Sequence, residues 1–330
     1  MYTDLYGLSD KPFQLTPDPR FWFGSRTHQR AMAYLGYGLA QAEGFIVVTG
    51  EIGAGKSTLA AHLLATIDRA RLTAISVSST QVESDDLLRL IAGGLGIATE
   101  RLSKAALLDA AEQALLDEAA RGKRVLLVID EAQNLGSGAL EELRLLSNFQ
   151  AQGRALVQIL VLGQPEFRDR LAAEPGLEQL RQRVIASHHL QPMSEEEVEP
   201  YLRHRLGAVG WAGRPELSAD LAAAVFRHAG GLPRRINQLM NRVLLLAGVE
   251  GHDAIDAATV DSAAEDLAGE RPQAAPQPVL PLRSVPSIPA ATEQRIAALE
   301  AQLAEQDAVL RRVLTMLVGW IENVPQPRAA

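Results

Sequence analysis

Three glycines, a lysine and a serine lie close together between Gly50 and Ser57, in the order Gly-Glu-Ile-Gly-Ala-Gly-Lys-Ser. Glycines at this spacing let backbone N–H groups curl around an anion, and the lysine and serine add a positive charge and a hydroxyl. We call residues 50–57 the phosphate loop, because the pattern predicts a loop that binds the phosphates of a nucleoside triphosphate. In such a loop Lys56 reaches the β- and γ-phosphates, and the Ser57 hydroxyl holds Mg²⁺.

The segments on either side of the phosphate loop support the same prediction. Phe45–Thr49 is apolar and predicts a buried strand, and residues 57–64 predict a helix whose N-terminus adds favourable donors for an anion. A glycine-rich turn with a chance lysine is the alternative, which this strand, loop and helix context disfavours. The predicted nucleotide contacts are Gly50, Glu51, Ile52, Gly53, Ala54, Gly55, Lys56, Ser57 and Thr58.

Two acids follow a second apolar run. Residues 125–129 read Val-Leu-Leu-Val-Ile and predict a strand buried on both faces of a parallel sheet, with Asp130 and Glu131 directly after it. The end of this strand would place both carboxylates beside the phosphate loop. There Asp130 would hold the Mg²⁺ shell and Glu131 would polarise the attacking water. An acidic strand end in an ordinary turn is the alternative. The pair predicts that bound ATP is hydrolysed.

A glutamine and several arginines are further candidates for this chemistry. Gln164 follows the strand predicted at residues 156–162, so its amide would touch the γ-phosphate or orient water; a strand-ending Gly-Gln-Pro turn is the alternative. An arginine from a neighbouring subunit can stabilise the charge of the transition state. Candidates for that role are Arg181 and Arg183, and more weakly Arg168 and Arg170. Arg234 would instead lean over the γ-phosphate from a helical region. Each arginine could also be a solvated charge on a helix face.

Elements of alternating type must position these residues. Strand and helix patterns alternate from about residue 44 to 192 and predict a three-layer α/β core with a parallel sheet. We assign residues 1–192 to this core, including the N-terminal segment 1–43. Helical patterns alone follow over 193–270 and predict a small all-helical domain. There Ser194 and Glu197 form a capping box, Ser218 caps the next helix and Pro233 lies in a first turn.

The last part of the chain has a different composition. Residues 271–290 are proline-rich and predict an extended linker, and residues 291–330 predict an amphipathic helix and tail. Apolar residues of this helix recur three and four positions apart, as in a coiled coil. The seam consists of Ile296, Leu299, Leu303, Leu310, Val313, Leu317 and Trp320, with Gln306 as its one polar interruption. Self-association or partner binding is favoured over docking back onto the body, and residues 313–321 are apolar enough for a peripheral membrane contact.

The overall composition limits the classes of partner and location. The net charge of −8 makes DNA an unlikely partner in general, and the lack of cysteine excludes disulfides and thiolate metal sites. The first residues lack the pattern of a signal peptide, and no apolar run approaches the ~20 residues of a membrane-spanning helix. The expectation is a cytoplasmic protein with no membrane span, in possible peripheral contact with the inner membrane.

Four further segments of the sequence carry a family resemblance. They are Tyr6 to Phe21 near the N-terminus, 126–135 (Leu-Leu-Val-Ile-Asp-Glu-Ala-Gln-Asn-Leu), 162–167 (Leu-Gly-Gln-Pro-Glu-Phe) and 231–237 (Gly-Leu-Pro-Arg-Arg-Ile-Asn). With the phosphate loop, they make residues 1–270 resemble AAA+ ATPases of the secretion type, the general secretion pathway protein A group. Residues 44–56 and 179–187 are most similar to the branch associated with the exosortase/PEP-CTERM system.

This resemblance implies a P-loop NTPase core of five strands with a helical lid, and ATP and Mg²⁺ bound between them. It implies that Gln164 is sensor 1 and Arg234 is sensor 2, and that residues 13–23 pack near the adenine. It also implies a homo-oligomer, as a ring or helical assembly, that acts on envelope export or polysaccharide assembly proteins, in part through residues 291–324. The alternatives are a DNA-associated regulator resembling transposition target-selection ATPases and a slow nucleotide switch that controls a partner.

Overall fold

The computed structural model describes residues 2–78 and 84–270. These residues belong to one compact unit. The linker predicted for 271–290 and the amphipathic helix predicted for 291–330 lie outside the described residues. The strands are β1 (Phe45–Gly50), β2 (Leu72–Ser78), β3 (Arg124–Asp130), β4 (Gln150–Ala151), β5 (Arg154–Ala155), β6 (Val157–Gly163), β7 (Val184–Leu190), β8 (Glu216–Leu217) and β9 (Ala254–Ile255). The helices are α1 (Tyr2–Tyr6), α2 (Arg26–Gln41), α3 (Lys56–Thr66), α4 (Ser84–Gly94), α5 (Lys104–Ala120), α6 (Ser137–Leu146), α7 (Pro165–Ala173), α8 (Glu178–Arg181), α9 (Glu195–Gly207), α10 (Leu221–Ala229), α11 (Pro233–Glu250) and α12 (Ala257–Glu270).

Five parallel strands form the central sheet in the order β2-β3-β6-β1-β7. The predicted α/β core with a parallel sheet is confirmed. The register pairs Thr49 with Gly163 and Ile129 with Val161, so the carboxyl ends of β1, β3 and β6 meet at one edge. Ligands of open α/β sheets bind outside this edge. The topology therefore brings the ends of the three strands with predicted site residues together.

Apolar side chains alternate between the two faces of the sheet. Phe45 and Val47 pack in the cluster that contains α4, α5 and α6, whereas Ile46 and Val48 pack in the cluster that contains α2 and α3. Strands buried on both faces read as continuous apolar runs, which is why β1 and β3 are recognisable in the sequence. Helices on both faces complete the three layers.

A third apolar cluster joins α9, α10, α11 and α12, which we call the lid. The capping box of Ser194 and Glu197 is confirmed at the start of α9. Glu197 also accepts a hydrogen bond from the backbone N–H of Arg26, 2.7 Å away at the start of α2. One carboxylate therefore caps two helices, and it joins the first turn of the lid to the helix that packs on the sheet.

Two details of the lid differ from the sequence-based expectation. The prediction that Ser218 caps a helix is wrong: Asp220 is the N-cap residue of α10. The N–H of Ser218 instead donates to the Ile255 carbonyl, which extends the short parallel pair formed by β8 and β9. This pair adds strand structure to a region predicted as all-helical. Strands of two residues are too short to produce a period in the sequence.

The N-terminal segment packs with the lid rather than with the sheet. Tyr6, Leu8, Phe13 and Phe21 are buried in the same cluster as the lid helices. Trp22 and the apolar residues of α2, such as Ala31 and Leu35, instead pack in the cluster on the face of the sheet. The domain boundaries stay a prediction, but these contacts place the residues up to Phe21 with the lid helices.

Within residues 2–78 and 84–270, no helix combines the length and the apolar character that a membrane crossing requires.

Candidate functional site

The phosphate loop connects β1 to α3 at the carboxyl edge of the sheet. Gly53 and Gly55 have φ angles of 86° and 95°, a region that glycine enters without steric cost. Lys56 is only 6% exposed, and its Nζ donates to the carbonyls of Gly50 (2.7 Å) and Glu51 (3.1 Å). Burial lowers the pKa of Lys56, while the nearby carboxylates of Glu131 and Asp130 oppose that shift. A largely desolvated ammonium group therefore lies inside the loop.

The two predicted metal ligands are in direct contact. The hydroxyl of Ser57, in the first turn of α3, donates to Asp130 Oδ2 at the end of β3 over 2.7 Å. A hydroxyl and a carboxylate are the oxygen ligands that Mg²⁺ uses, usually together with water and substrate phosphates. The donor set thus fits Mg²⁺ bound with a nucleotide.

Glu131 lies directly after Asp130 and is held by two glutamines. Its backbone is left-handed, with φ 57°. Its Oε2 accepts from the Gln133 side chain and from Gln164 Nε2 at 3.4 Å, and the N–H of Gln164 donates to Gln133 Oε1 at 3.0 Å. The structure thus brings Gln164 to the acid, as expected of a strand-tip amide. Sequence reasoning missed Gln133, although it lies two residues after the acid in the quoted motif.

Arg234 comes to the phosphate loop from the lid. Its N–H donates to the Gly53 carbonyl over 3.2 Å, and a Cβ added to Gly53 would lie 2.4 Å from the Arg234 Cβ. The first turn of α11 and the phosphate loop are therefore in contact through their backbones. Arg234 lines the same cavity as Lys56, Ser57 and Glu131. This position is compatible with the predicted role of Arg234, which is to contact the γ-phosphate of a bound nucleotide from the helical domain.

Arg181 and Arg183 do not line this cavity. Arg183 precedes β7 at the opposite edge of the sheet, where its carbonyl accepts from the N–H of Phe45 at 2.9 Å. Its guanidinium donates to Ser147, and that of Arg181 donates to the Ala172 carbonyl over 2.7 Å. The weaker candidates also pair elsewhere: Arg168 with Asp169 and Arg170 with Glu174. These arginines have no place in the site of their own chain, and a role across subunits stays a prediction.

Residues 12–23, which we call the N-terminal strap, form the apolar wall of the cavity. The wall consists of Leu15, Pro17, Phe21, Trp22 and Phe23. At its other end the strap is fixed to the lid: buried Arg205 donates to the carbonyls of Pro12 (2.6 Å) and Gln14 (3.1 Å), and Asn241 donates to that of Phe13 (2.6 Å). An apolar wall beside a phosphate-binding loop is suited to a flat aromatic base.

The arrangement as a whole can bind and polarise a phosphate chain. A buried ammonium, a hydroxyl–carboxylate pair and an acid held by amides converge at the end of three strands, next to an apolar wall. Phosphoryl transfer depends mainly on positioning and on charge neutralisation, and these groups supply both.

Comparison with known proteins agrees with this geometry. The sequence pattern of the AAA domain family matches residues 39–171. The general secretion pathway protein A of Aeromonas hydrophila is 36% identical over 272 residues, which are 82% of this chain and 49% of that protein. The chain thus spans about half the length of this curated relative.

Solved structures share the fold at lower identity. The ORC2 protein of Aeropyrum pernix in its ADP form superimposes with a TM-score of 0.56 at 17% identity, over 78% of this chain and 73% of that one. The Cdc6p protein of Pyrobaculum aerophilum gives a TM-score of 0.61 at 18% identity, over 78% and 71%. At these identities the likeness concerns the fold. Taken with the phosphate loop, the paired acids and the relative from Aeromonas, it leads to one assignment: the chain belongs to the AAA+ family of P-loop proteins and is of the general secretion pathway protein A type.

Proposed function

We propose that the chain binds Mg·ATP in the cavity between the phosphate loop and the lid, and hydrolyses it. The observation that carries this proposal is the contact of Ser57 with Asp130 at 2.7 Å, with buried Lys56 and Glu131 beside it. Mg²⁺, when bound with the nucleotide, neutralises phosphate charge. Ser57 and Asp130 are the protein groups that would hold it.

Each remaining residue has a task that follows from its position. Lys56 exchanges its two loop carbonyls for phosphate oxygens, since an ammonium prefers an anion to a neutral acceptor. Glu131 orients water, because its carboxylate is fixed by Gln133 and Gln164. Arg234 senses the γ-phosphate from the lid. The apolar wall of the N-terminal strap holds the base.

The cellular role is proposed from the named relative. We infer an oligomeric ATPase that regulates the assembly of envelope secretion machinery or of exopolysaccharide export machinery, and that acts in the cytoplasm. Support comes from the 36% identity to general secretion pathway protein A. Contacts with partners through residues 291–324, and the finer relation to the exosortase/PEP-CTERM system, belong to this proposal. The Drosophila ORC structure is bound to DNA, but its 14% identity favours no DNA role for this chain.

Calorimetry and turnover assays on the full chain test the proposal. We expect wild-type protein to bind Mg·ATP, and Lys56→Ala to weaken binding roughly 100-fold or more, since it removes the one ammonium that lines the phosphate site among the described residues. Glu131→Gln should retain binding and lose roughly 100-fold in kcat.

Glu43→Gln is the matched control, because Glu43 is an exposed acid two residues before β1, at the opposite edge of the sheet from the cavity. It should change turnover less than about twofold, in keeping with an exposed surface charge. No heat of binding from well-folded wild-type protein would reject the proposed function.

A further inference from the structure

His28 lies behind the phosphate loop and is almost completely buried. It is 5% exposed, on the first turn of α2, and the Trp22 indole packs on it in a T-shaped arrangement with ring centres 5.3 Å apart. Its Nδ1 is 2.6 Å from the hydroxyl of Ser25, the N-cap residue of α2. A helix cap and an aromatic ring thus fix the orientation of this imidazole.

The opposite nitrogen of the ring faces the loop. A Cβ added to Gly55 would lie 2.6 Å from His28 Nε2, so the ring touches the loop at the residue before Lys56. Only glycine leaves room for this contact. The imidazole and the phosphate loop are therefore packed together without a gap.

The direction of the hydrogen bonds follows from the charge of the ring. Burial lowers the pKa of His28 to about 4, although backbone hydrogen bonds to Ala54 and Gly55 favour protonation. At neutral pH the ring is uncharged, with one donor and one acceptor nitrogen. Backbone groups that favour a protonated ring are carbonyl acceptors. Because the Ser25 hydroxyl oxygen already accepts from the backbone N–H of His28 at 3.4 Å, its proton is donated to Nδ1, which leaves Nε2 as the N–H that faces the loop.

From this arrangement we infer that His28 is a positioning residue: through Nε2 it holds the phosphate loop in the shape that receives the phosphates. It acts through the loop backbone and does not touch the reacting atoms. Loop ordering is then completed during folding, so nucleotide binding does not bear that entropic cost. The inference rests on the proposed function, since it concerns the same nucleotide.

Two substitutions by amide side chains distinguish the role of Nε2 from that of Nδ1. In His28→Gln the amide lies at about the position of Nε2, and in His28→Asn it lies at about the position of Nδ1; both amides can donate and accept. We expect His28→Gln to bind Mg·ATP within about threefold of wild type. We expect His28→Asn, which reaches Ser25 but not the loop, to bind about tenfold or more weakly. His28→Leu, which is close to His28→Gln in size but has no donor, distinguishes this order from a packing role and should bind about as weakly as His28→Asn.

The same pair of substitutions at His252, which is exposed after α11 and does not line the cavity, serves as the matched control and should leave affinity unchanged for both. Equal affinities of folded His28→Gln and His28→Asn would overturn the inference. Absence of binding by wild-type protein would reject the proposed function instead.

A measurement on wild-type protein remains decisive if a variant does not fold. Histidine ¹⁵N NMR should show the neutral Nε2–H tautomer of His28 at pH 7. The Nδ1–H tautomer would overturn the inference.

Discussion

Glu131 combines a sterically costly backbone with a carboxylate that two side chains hold in place. A left-handed conformation costs a non-glycine residue on the order of 1 kcal/mol, and such costs are typical of functional sites. The conformation turns the acid away from the strand direction and toward Gln133 and Gln164. In our proposal, this geometry fixes the group that orients water before the nucleotide arrives.

Gln133 is therefore a testable part of the site. Gln133→Ala removes one donor to Glu131 and the acceptor of the Gln164 N–H. A hydrogen bond contributes about 1 kcal/mol, so we expect kcat of ATP hydrolysis to fall roughly five- to tenfold, with KM nearly unchanged.

Steady-state kinetics over a range of ATP concentrations measures both constants. Gln152→Ala, at the exposed turn between β4 and β5, is the control and should match wild type. A Gln133→Ala enzyme as fast as wild type would show that Gln133 does not orient Glu131.

At the residue scale, local motifs located the groups for which we propose phosphate binding, metal binding and orientation of water. Lys56, Ser57, Asp130 and Glu131 lie in short patterns at strand ends, and one pattern suffices to place each of them. His28 and Arg205 could not be found this way, because their partners are 27 and more than 190 residues distant in the chain and are backbone atoms without a characteristic residue type.

At the scale of elements, Glu197 links two helices that belong to different apolar clusters. One oxygen accepts from the N–H of Arg26 at the start of α2, and the other accepts from the N–H of Ser194 at the start of α9. The first N–H groups of a helix have no partner within the helix. One side chain therefore satisfies an orphan donor of α2 and, through the capping box, supports the start of α9.

Glu197→Ala should accordingly destabilise the protein more than an ordinary surface substitution. We expect the free energy of unfolding to fall by about 1–3 kcal/mol, from the loss of a capping box and of the bond to Arg26. Denaturant unfolding followed by circular dichroism measures this.

Glu195→Ala is the matched control in the same helical turn. Its carboxylate is exposed, and the change should stay within about 0.5 kcal/mol. Equal effects of the two substitutions would mean that the double cap contributes nothing to stability.

Strands of the sheet could be located from the sequence because they are buried on both faces. The bounds predicted for β1, β3 and β6 agree with the structure to within a residue at each end. The pairs β4–β5 and β8–β9 were missed because each strand has two residues. Ser218 was misassigned because a serine before an apolar run fits a helix cap and a strand end equally well.

At the scale of the whole molecule, the N-terminal strap connects the lid to the phosphate loop. It is bonded to lid side chains near Phe13, and Trp22 stacks on His62 of α3 with ring centres 4.1 Å apart. Its apolar residues could belong to either cluster as far as the sequence shows. The folded structure shows which cluster they join, because their position depends on contacts between residues more than 180 positions apart in the sequence.

We expect the free energy of unfolding to fall in acid, in part because His28 is buried in the folded chain. Below pH 6.5 the unfolded chain protonates this histidine, whereas the folded chain does so only near its pKa of about 4. The unfolded state then binds more protons, so the free energy of unfolding falls as the pH drops from about 6.5 to 4. The loss is about 1.4 kcal/mol per unit, or roughly 3 kcal/mol in all.

Urea unfolding at several pH values, with His28→Gln alongside, isolates this contribution. Burial lowers the pKa of His62, His188 and His189 in the same direction, so these residues act on both proteins alike. Parallel stability curves for wild type and variant would contradict the prediction.

Subunit mixing tests whether an arginine acts across subunits. Lys56→Ala should bind ATP very weakly but still place its Arg183 in the site of a neighbouring subunit. Arg183→Ala should bind ATP normally but supply no arginine to its neighbour. If Arg183 stabilises the transition state in a neighbouring subunit, a mixture of the two variants should hydrolyse ATP several-fold faster than the sum of their separate rates.

Mixing Lys56→Ala with Arg181→Ala in place of Arg183→Ala shows which of the two arginines acts across subunits. Mixtures that never exceed that sum would count against both residues.

The anchoring of the strap by main-chain carbonyls has a consequence for how this segment tolerates change. Arg205 and Asn241 contact oxygens that every amino acid carries, so Pro12 and Gln14 can be exchanged for other types while the anchor persists. A single inserted or deleted residue would move these carbonyl oxygens away from the Arg205 and Asn241 side chains that donate to them. Length, more than identity, is what this stretch must preserve.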